Sequence, residues 1–448
     1  MCINCQIRKI IIAKSGSCDK LLTGDEINTY YLPRIADKRM ELALQASGAV
    51  LIVGPKWCGK TETAKQFAKS VLLMQHAEHA EDYLKMASLK PSELLEGETP
   101  RLIDEWQDAP VLWNAVRFTV DQRRKRGQFI LTGSVVPKLS KNMHSGAGRI
   151  SRLEMRTMSL YESNESTGEI SLADLFHGAT GMIGSSKLSI DDIVYILLRG
   201  GWPETVKESR TEIAMKIVSD YIETLIYDDM SRVDGKKRNP TRVRNLLRSI
   251  ARHTSAPANN ATILADLEAN DETISDKTIA DYTNALKKLY VINELPVWSM
   301  SMRSKTVIRT TPKRHLTDPS IAGVMLGSNK EKLFNDFNTF GLLFESMAVR
   351  DLRVYADKLN GKVFYYRDKQ GNEVDVIIEL SDGRWGAVEI KMGSNEEESA
   401  SKNLIKFKNN VNTEKMGEPS FLAIVTATKV GYQRDDGVWV VPLGCLKD

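Results

Sequence analysis

The sequence predicts an α/β protein of several domains, led by a doubly wound parallel sheet, and three observations carry that prediction. The chain has 448 residues, against roughly 100–200 for a typical domain. Short apolar runs end in turn residues: Ala49-Val50-Leu51-Ile52-Val53 before Gly54, Leu102-Ile103 before Asp104, and Phe129-Ile130-Leu131 before Thr132-Gly133-Ser134. Helical stretches such as Lys60 to Leu73 separate them. Continuous apolar runs of this length suit strands buried on both faces of a parallel sheet, and alternation with helices is how such a sheet is wound.

Apolar residues make up 42% and charged residues 27%, the balance of a soluble chain able to bury several cores. Lys and Arg number 62 against 58 Asp and Glu, and the resulting +4 implies no nucleic acid without local clustering. Five cysteines, Cys2, Cys5, Cys18, Cys58 and Cys445, form no disulfide framework at this length, so a reducing cytoplasm is the expected compartment. Cys2-x-x-Cys5 has only Cys18 near it and lacks the four ligands of a structural zinc site. Arg8 and Lys9 precede only Ile10 to Ala13, too few apolar residues for a signal peptide. No stretch approaches the ~20 apolar residues of a membrane helix, so no membrane is expected as a partner.

Five segments follow. Residues 1–29 lack periodicity and read as an extension, and 30–178 hold the α/β core. Residues 179–240 begin glycine-rich and turn helical from about Glu212 to Met230, reading as a lid or connector. Over 241–315 three short helices precede Val291-Ile292-Asn293-Glu294-Leu295, the order of a winged helix-turn-helix. One of these helices follows Ser275-Asp276 and sets Ile279, Tyr282, Leu286 and Leu289 on one face. Residues 316–448 carry a helix with Phe337, Phe340, Phe344 and Ala348, then strand candidates at Val363 to Tyr366, Val374 to Ile378 and Ala387 to Ile390.

The strongest motif is Gly54-Pro55-Lys56-Trp57-Cys58-Gly59-Lys60-Thr61, which matches the phosphate-loop pattern GxxxxGK[ST]. Glycines let backbone N–H groups approach phosphate oxygens, and the following helix turns its positive end toward them. Lys60 then reaches the β and γ phosphates, and the Thr61 hydroxyl is a ligand for Mg²⁺. Asp104, at the end of an apolar strand, would hold the same Mg²⁺, and Glu105 would orient and deprotonate an attacking water. Ser134, after the third strand, is a candidate sensor of the γ-phosphate, against a simple turn. Arg149 and Arg152 follow the glycine-rich Ser145 to Gly148. Each is a candidate arginine finger, in cis or from a second copy of the chain, against an ordinary surface arginine.

Taken together, Tyr31-Leu32-Pro33-Arg34, this loop, Leu102 to Gln107, Leu131 to Ser134, Arg199-Gly200-Gly201-Trp202-Pro203, His315 to Ser320, Phe344-Glu345 and Glu389-Ile390-Lys391 carry a resemblance. The chain resembles the prokaryotic AAA-type ATPases with a C-terminal domain of unknown function, from Tyr30 to its end. That resemblance implies an AAA-like P-loop ATPase core binding ATP, and a restriction-endonuclease-like C-terminal fold. It attaches no chemistry to Arg199 to Pro203 or to Asp318-Pro319-Ser320.

In the C-terminal part, Asp375, Glu389 and Lys391 form Asp-x13-Glu-x-Lys. Strand alternation puts Glu389 and Lys391 on one face and Val388 and Ile390 on the other, and Asp375 leaves its own strand opposite Val374 and Val376. Glu345 is a possible fourth member. The pattern is similar to the PD-(D/E)xK nucleases without the leading proline, and its carboxylates suit a divalent metal. A half-exposed strand with a Glu389–Lys391 ion pair accounts for the same residues.

Residues 232–252 hold eight basic side chains against Asp234 alone, and 297–317 hold Arg303, Lys305, Arg309, Lys313 and Arg314 with no acid. Both flank the predicted helix-turn-helix and read as DNA footprints, against a solvated basic face. The expectation is a cytoplasmic Mg²⁺-dependent ATPase coupling nucleotide state to a DNA-binding, nuclease-like module. Two others stand beside it: a nucleotide-gated binding or scaffold protein whose C-terminal domain cuts nothing, and an ATPase acting on a protein partner.

Overall fold

The computed structural model describes residues 31–133, 145–268, 274–299, 311–368 and 370–448. They form two compact units, the first closing at Met155 and the second running from Arg156 to Asp448.

The first unit runs α1 (Ala36–Ala46), β1 (Ala49–Val53), α2 (Lys60–Phe67), β2 (Ser70–Leu73), α3 (Ala80–Leu89), β3 (Arg101–Asp104), α4 (Val111–Arg123), β4 (Phe129–Thr132) and β5 (Ile150–Glu154). The strands form one parallel sheet in the order β2-β3-β4-β1-β5. β1 and β4 are buried along their whole length, which is why both read as unbroken apolar runs. Met40 of α1 and Ala64 of α2 pack on Val50, Ile52, Leu102, Ile130 and Leu153 to make the core of one face. The sheet order leaves the carboxyl ends of β1, β3 and β4 side by side, where ligands of such sheets bind.

Lys60 to Leu73, expected as one helix, divides. α2 ends at Phe67, and Ser70–Leu73 is the edge strand of the sheet. Val71 and Leu73 are exposed there, so this strand lacks the buried run by which its neighbours are recognised. β5 is likewise an edge strand, with mixed burial and no apolar run.

The principal elements of the second unit begin with β6 (Ile170–Ser171), β7 (Gly184–Ser185), α5 (Ile190–Arg199), α6 (Thr211–Thr224), α7 (Pro240–Arg252), α8 (Asn260–Glu268) and α9 (Asp276–Lys288). Next come β8 (Ile292–Leu295), β9 (Lys313–Leu316), α10 (Pro319–Met325) and α11 (Phe337–Lys358). The chain finishes with β10 (Gly361–Arg367), β11 (Glu373–Leu380), β12 (Trp385–Lys391), α12 (Glu397–Asn410), β13 (Phe421–Thr426), β14 (Val430–Gln433), β15 (Trp439–Pro442) and β16 (Leu446–Lys447).

Helices α7, α8 and α9 bury Leu246 and Ile250, Ile263 and Leu267, and Ile279, Tyr282 and Leu286. Ser275 caps α9 by accepting from the Thr278 amide. β8 and β9 then pair as an antiparallel ribbon, Ile292 opposite Leu316. The larger sheet has seven strands in the order β10-β11-β12-β13-β15-β14-β7. Trp298, Trp385, Leu404, Phe407 and Ile424 fill the core between it and α12.

The first compact unit closes at Met155, inside the 30–178 segment expected as the α/β core. β6 pairs with β16 and β7 with β14, so the segment after the first unit is built into the last strands of the chain. Such pairing has no local signature. The glycine-rich start of 179–240, ahead of the helix expected from Glu212, also holds α5, begun by a capping box in which Ser189 and Asp192 satisfy each other's backbone N–H.

The two motifs without assigned chemistry lock together. Asp318 is fully buried and accepts from the Gly201 amide (2.9 Å) and the Arg350 guanidinium (3.1 Å). Ser320 donates to Asp318 (2.6 Å), and the Trp202 indole donates to Ser320 (3.2 Å). Arg350 also binds Asp351, whose second oxygen accepts from the Leu160 amide (2.9 Å). A Cβ on residue 201 would lie 2.2 Å from the Met158 carbonyl, so glycine is required. Arg199 to Pro203 and Asp318 to Ser320 are therefore two halves of one buried polar joint. No described helix is long and apolar enough to cross a membrane.

Candidate functional site

β1 ends where the phosphate loop begins. Gly54 sits at φ +145°, and a Cβ there would meet the Met155 carbonyl at 2.3 Å. Lys60 is buried and turns back on its loop, its Nζ donating to the carbonyls of Gly54 (3.1 Å) and Pro55 (2.7 Å). Arg34 braces the loop from behind, its Nη1 donating to the Cys58 carbonyl (2.6 Å). The Tyr31 hydroxyl donates to Asp37 (2.6 Å) and lies 3.0 Å from the Thr63 hydroxyl of α2. Trp57 is over half exposed and takes a left-handed conformation.

Asp104 ends β3, in register between Leu73 and Thr132. One carboxylate oxygen, Oδ1, accepts from the hydroxyls of both Thr61 (2.7 Å) and Thr132. Parallel pairing thus delivers three oxygen-bearing side chains to one point at the head of α2. Next along the chain, Glu105 has a left-handed backbone (φ +52°), and the Gln107 amide donates to its Oε2. The other amide atom of Gln107, Oε1, is buried without a hydrogen-bond partner. Thr132, Gln107 and Arg34 are members of this site that sequence reasoning missed. All three stand inside quoted motifs, but only the folded chain discloses what they touch.

Ser134 lies outside the described residues. Arg149 does not reach the loop in its own chain. Its carbonyl pairs with the Ala49 amide at the amino end of β1, the far end of the sheet from Gly54. Its guanidinium holds Asp121 of α4 (2.9 Å). Arg152 is opposite Leu51 on the edge strand β5, with its side chain exposed, about 10 Å along the strand from the loop.

The C-terminal carboxylates come together. β11 and β12 are antiparallel with Val376 opposite Val388, which brings Asp375 beside Glu389 and Lys391. Lys391 Nζ lies 2.9 Å from Glu389 and 3.4 Å from Asp375. The Ile390 amide and the Asn403 side chain complete the pair, donating to Asp375 (3.0 Å) and Glu389 (2.6 Å). Glu345 of α11 joins through an unexpected residue. Lys313 is 2.7 Å from Glu373, 3.1 Å from Glu345 and 3.6 Å from Asp375. Among the described residues, no group of three or more His, Cys, Asp or Glu is arranged to hold a metal.

Burial pushes the Glu389 carboxyl up to about 8, the Asp375 charge adding to the effect and Lys391 opposing it. Burial and Asp375 likewise raise Glu345 to about 7 against the pull of Lys313. Asp375 is buried too, yet the ammonium groups of Lys391 and Lys313 hold it below the usual carboxylate range. Burial works against the charge of Lys313, but Glu345, Asp375 and Glu373 keep it protonated well beyond its ordinary range.

The basic segments change meaning on folding. Arg238 is buried, gripping Asp234 and Asp281 (both 2.9 Å). Lys236 takes Asp281, Arg244 takes Glu223 and Arg252 takes Asp266. Arg232, Lys237 and Arg248 remain exposed. In the second segment Lys313 and Arg314 are buried rather than presented to a phosphate backbone. Arg303, Lys305 and Arg309 lie outside the described residues.

Residues 46–164 match the family described as AAA domain, 190–332 a domain of unknown function (DUF8612), and 340–446 a further domain of unknown function (DUF4143). Uncharacterized proteins of Mycobacterium tuberculosis and Mycobacterium bovis are each 24% identical over 364 residues, covering 81% of this chain and 74% of theirs. Among solved structures, the chain is similar to the Walker-type ATPase PABY2304 of Pyrococcus abyssi, at 17% identity over 65% of this chain and 94% of that one, with a TM-score of 0.42. It is also similar to Cdc6p from Pyrobaculum aerophilum, at 11% identity over 68% and 98% of the two chains, with a TM-score of 0.20. The match of residues 46–164 to the AAA domain, the parallel sheet and the phosphate loop support an α/β P-loop fold for the first unit.

Proposed function

We propose that this chain is a Mg²⁺-dependent ATPase whose nucleotide state is coupled to a DNA-binding, nuclease-like second unit. The observation that carries the ATPase reading is the shared Asp104 oxygen accepting from Thr61 and Thr132 beside the phosphate loop. A hydroxyl and a carboxylate are the hard oxygen donors Mg²⁺ takes, so Thr61 and Asp104 would hold the ion. Bound there, it would neutralise charge on the β and γ phosphate oxygens. Lys60 adds its ammonium to the same phosphates when ATP replaces the loop carbonyls as its partners. Glu105 accepts the proton of the attacking water, and Gln107 holds that carboxylate in place.

Three variants test this. Lys60→Ala abolishes ATP binding or turnover. Glu105→Gln keeps binding and loses about 10²–10⁴-fold in kcat, the effect of removing a general base. Asp104→Ala removes the Mg²⁺ dependence with the activity. Normal hydrolysis by Lys60→Ala would overturn the reading.

For the second unit, the convergence of Asp375, Glu389 and Lys391 supports a nuclease-like module, and the three-helix and ribbon order supports a winged-helix DNA contact. A second reading keeps the ATPase but makes this module a binding element that cuts nothing. It is favoured by the two lysines seated among the carboxylates. Plasmid and linear DNA incubated with Mg²⁺ or Mn²⁺, with and without ATP, separate the two. Cleavage lost in Asp375→Ala and Lys391→Ala supports the first, and intact DNA throughout supports the second.

A further inference from the structure

We propose that Lys313 is a built-in counter-cation that closes the C-terminal carboxylate cluster to divalent metal. The inference rests on reading that cluster as nuclease-like, and concerns what fills it.

The Asp-x13-Glu-x-Lys pattern already contains its lysine, Lys391, which sits between Glu389 and one oxygen of Asp375. Lys313 is surplus to that pattern. It arrives from β9, outside the sheet that bears the carboxylates, with its side chain only 3% exposed. Its ammonium stands where Glu345, Glu373 and Asp375 converge, and over the Tyr365 ring at 5.6 Å from the centroid.

Five of the six carboxyl oxygens that Asp375, Glu389 and Glu345 could offer a metal are already committed. On Asp375, Oδ1 faces Lys313 and Oδ2 accepts from the Ile390 amide and Lys391. On Glu389, Oε1 accepts from Asn403 and Oε2 from Lys391. On Glu345, Oε1 accepts from Lys313. Mg²⁺ and Ca²⁺ require several oxygens at about 2.0–2.6 Å, and an ammonium in their midst opposes a divalent charge as well as occupying its room. The nuclease metal that the fold resemblance implies does not fit beside this residue. β9 brings Lys313 to the cluster from its pairing with β8.

An ordinary buried salt bridge makes a different forecast: removing Lys313 destabilises the unit and creates nothing. The test is Mn²⁺ titration of the nucleotide-free full chain, read by electron paramagnetic resonance and thermal shift. Wild type is expected to show no Mn²⁺ binding that depends on Asp375. K313M is expected to gain a site, with Mn²⁺ affinity rising roughly tenfold or more on loss of the adjacent positive charge. Mn²⁺ should also raise the melting point of K313M, and K313M/D375N should lose both effects. Where K313M alone fails to fold, K313M/E345Q, which removes one charge of each sign, is read in the same way. Asp375-dependent Mn²⁺ binding by wild type, or a folded K313 variant that gains none, overturns the inference. A variant that gains Mn²⁺ without cutting DNA sustains it and sinks the nuclease reading instead.

Discussion

In the proposed reaction Glu105 is the base, and the Gln107 amide donates to its Oε2 from the turn that follows β3, where Glu105 takes a left-handed backbone. Gln107→Ala should therefore lower kcat about tenfold while KM for ATP changes little, since the lost contact positions the base rather than the phosphates. Steady-state kinetics check the split. At the C-terminal cluster, Glu389 and Glu345 keep protons to about 8 and about 7 in the folded unit, above the ordinary glutamate value. The folded state then binds more protons than the unfolded chain between about pH 4.3 and those values, so stability falls as pH rises through that window. Thermal unfolding at pH 5 and pH 8 should show this fall in wild type and a smaller one in Glu389→Gln. An equal fall in both would sink the assignment to Glu389.

Between elements, the second unit is held by a polar joint rather than by apolar contact alone. Asp318 at the head of α10 ties the Gly201 turn to Arg350 of α11, and Asp351 on the next position ties Arg350 to the chain at Leu160. Burial works against the Asp318 charge, but Arg350 holds its carboxyl below the usual range. Removing one member leaves Arg350 buried with half its counter-charge, at a cost of about 3–5 kcal/mol. Asp318→Ala should lower the urea midpoint of the second unit accordingly, with ATP binding by the first unit retained. The sequence displays Asp318-Pro319-Ser320 and Arg199 to Pro203 plainly, yet neither names the other. Their partnership arises from folding segments far apart in the chain onto one helix.

Across the whole molecule, ligand and salt probe the two proposed sites in turn. MgATP is expected to stabilise the first unit, by about 2.7 kcal/mol at a hundredfold excess over Kd. Calorimetry should show that shift in wild type and lose it in Lys60→Ala. For DNA retention by residues 232–252, four of the eight basic side chains are paired with acids, Lys236 and Arg252 among them at the surface, and three more, Arg232, Lys237 and Arg248, are exposed. The logarithmic salt slope from this segment should be about −3, not the about −7 that the sequence count implies. A filter-binding series from low to high salt decides between them.

The fold and the candidate phosphate-loop site were legible to the extent that their signals are local. Buried parallel strands announce themselves as apolar runs at Ala49 to Val53 and Phe129 to Leu131, and a phosphate loop needs its glycines, Lys60 and Thr61 within one turn. The cap at Ser275 and the apolar face of α9 are equally short-range. Edge strands β2 and β5 were not legible, because half-exposed residues carry no such run. Charge was the least legible quantity. A stretch of sequence shows Lys313 and Arg238 as basic, whereas Glu345, Glu373 and Asp375 for one, and Asp281 beside the local Asp234 for the other, come from strands and helices elsewhere. By itself the sequence determined where strands and the phosphate loop form, since backbone preference and burial act over a few residues. Only the tertiary structure decided which charges face solvent and which face each other, since Coulomb attraction and desolvation depend on distance in space.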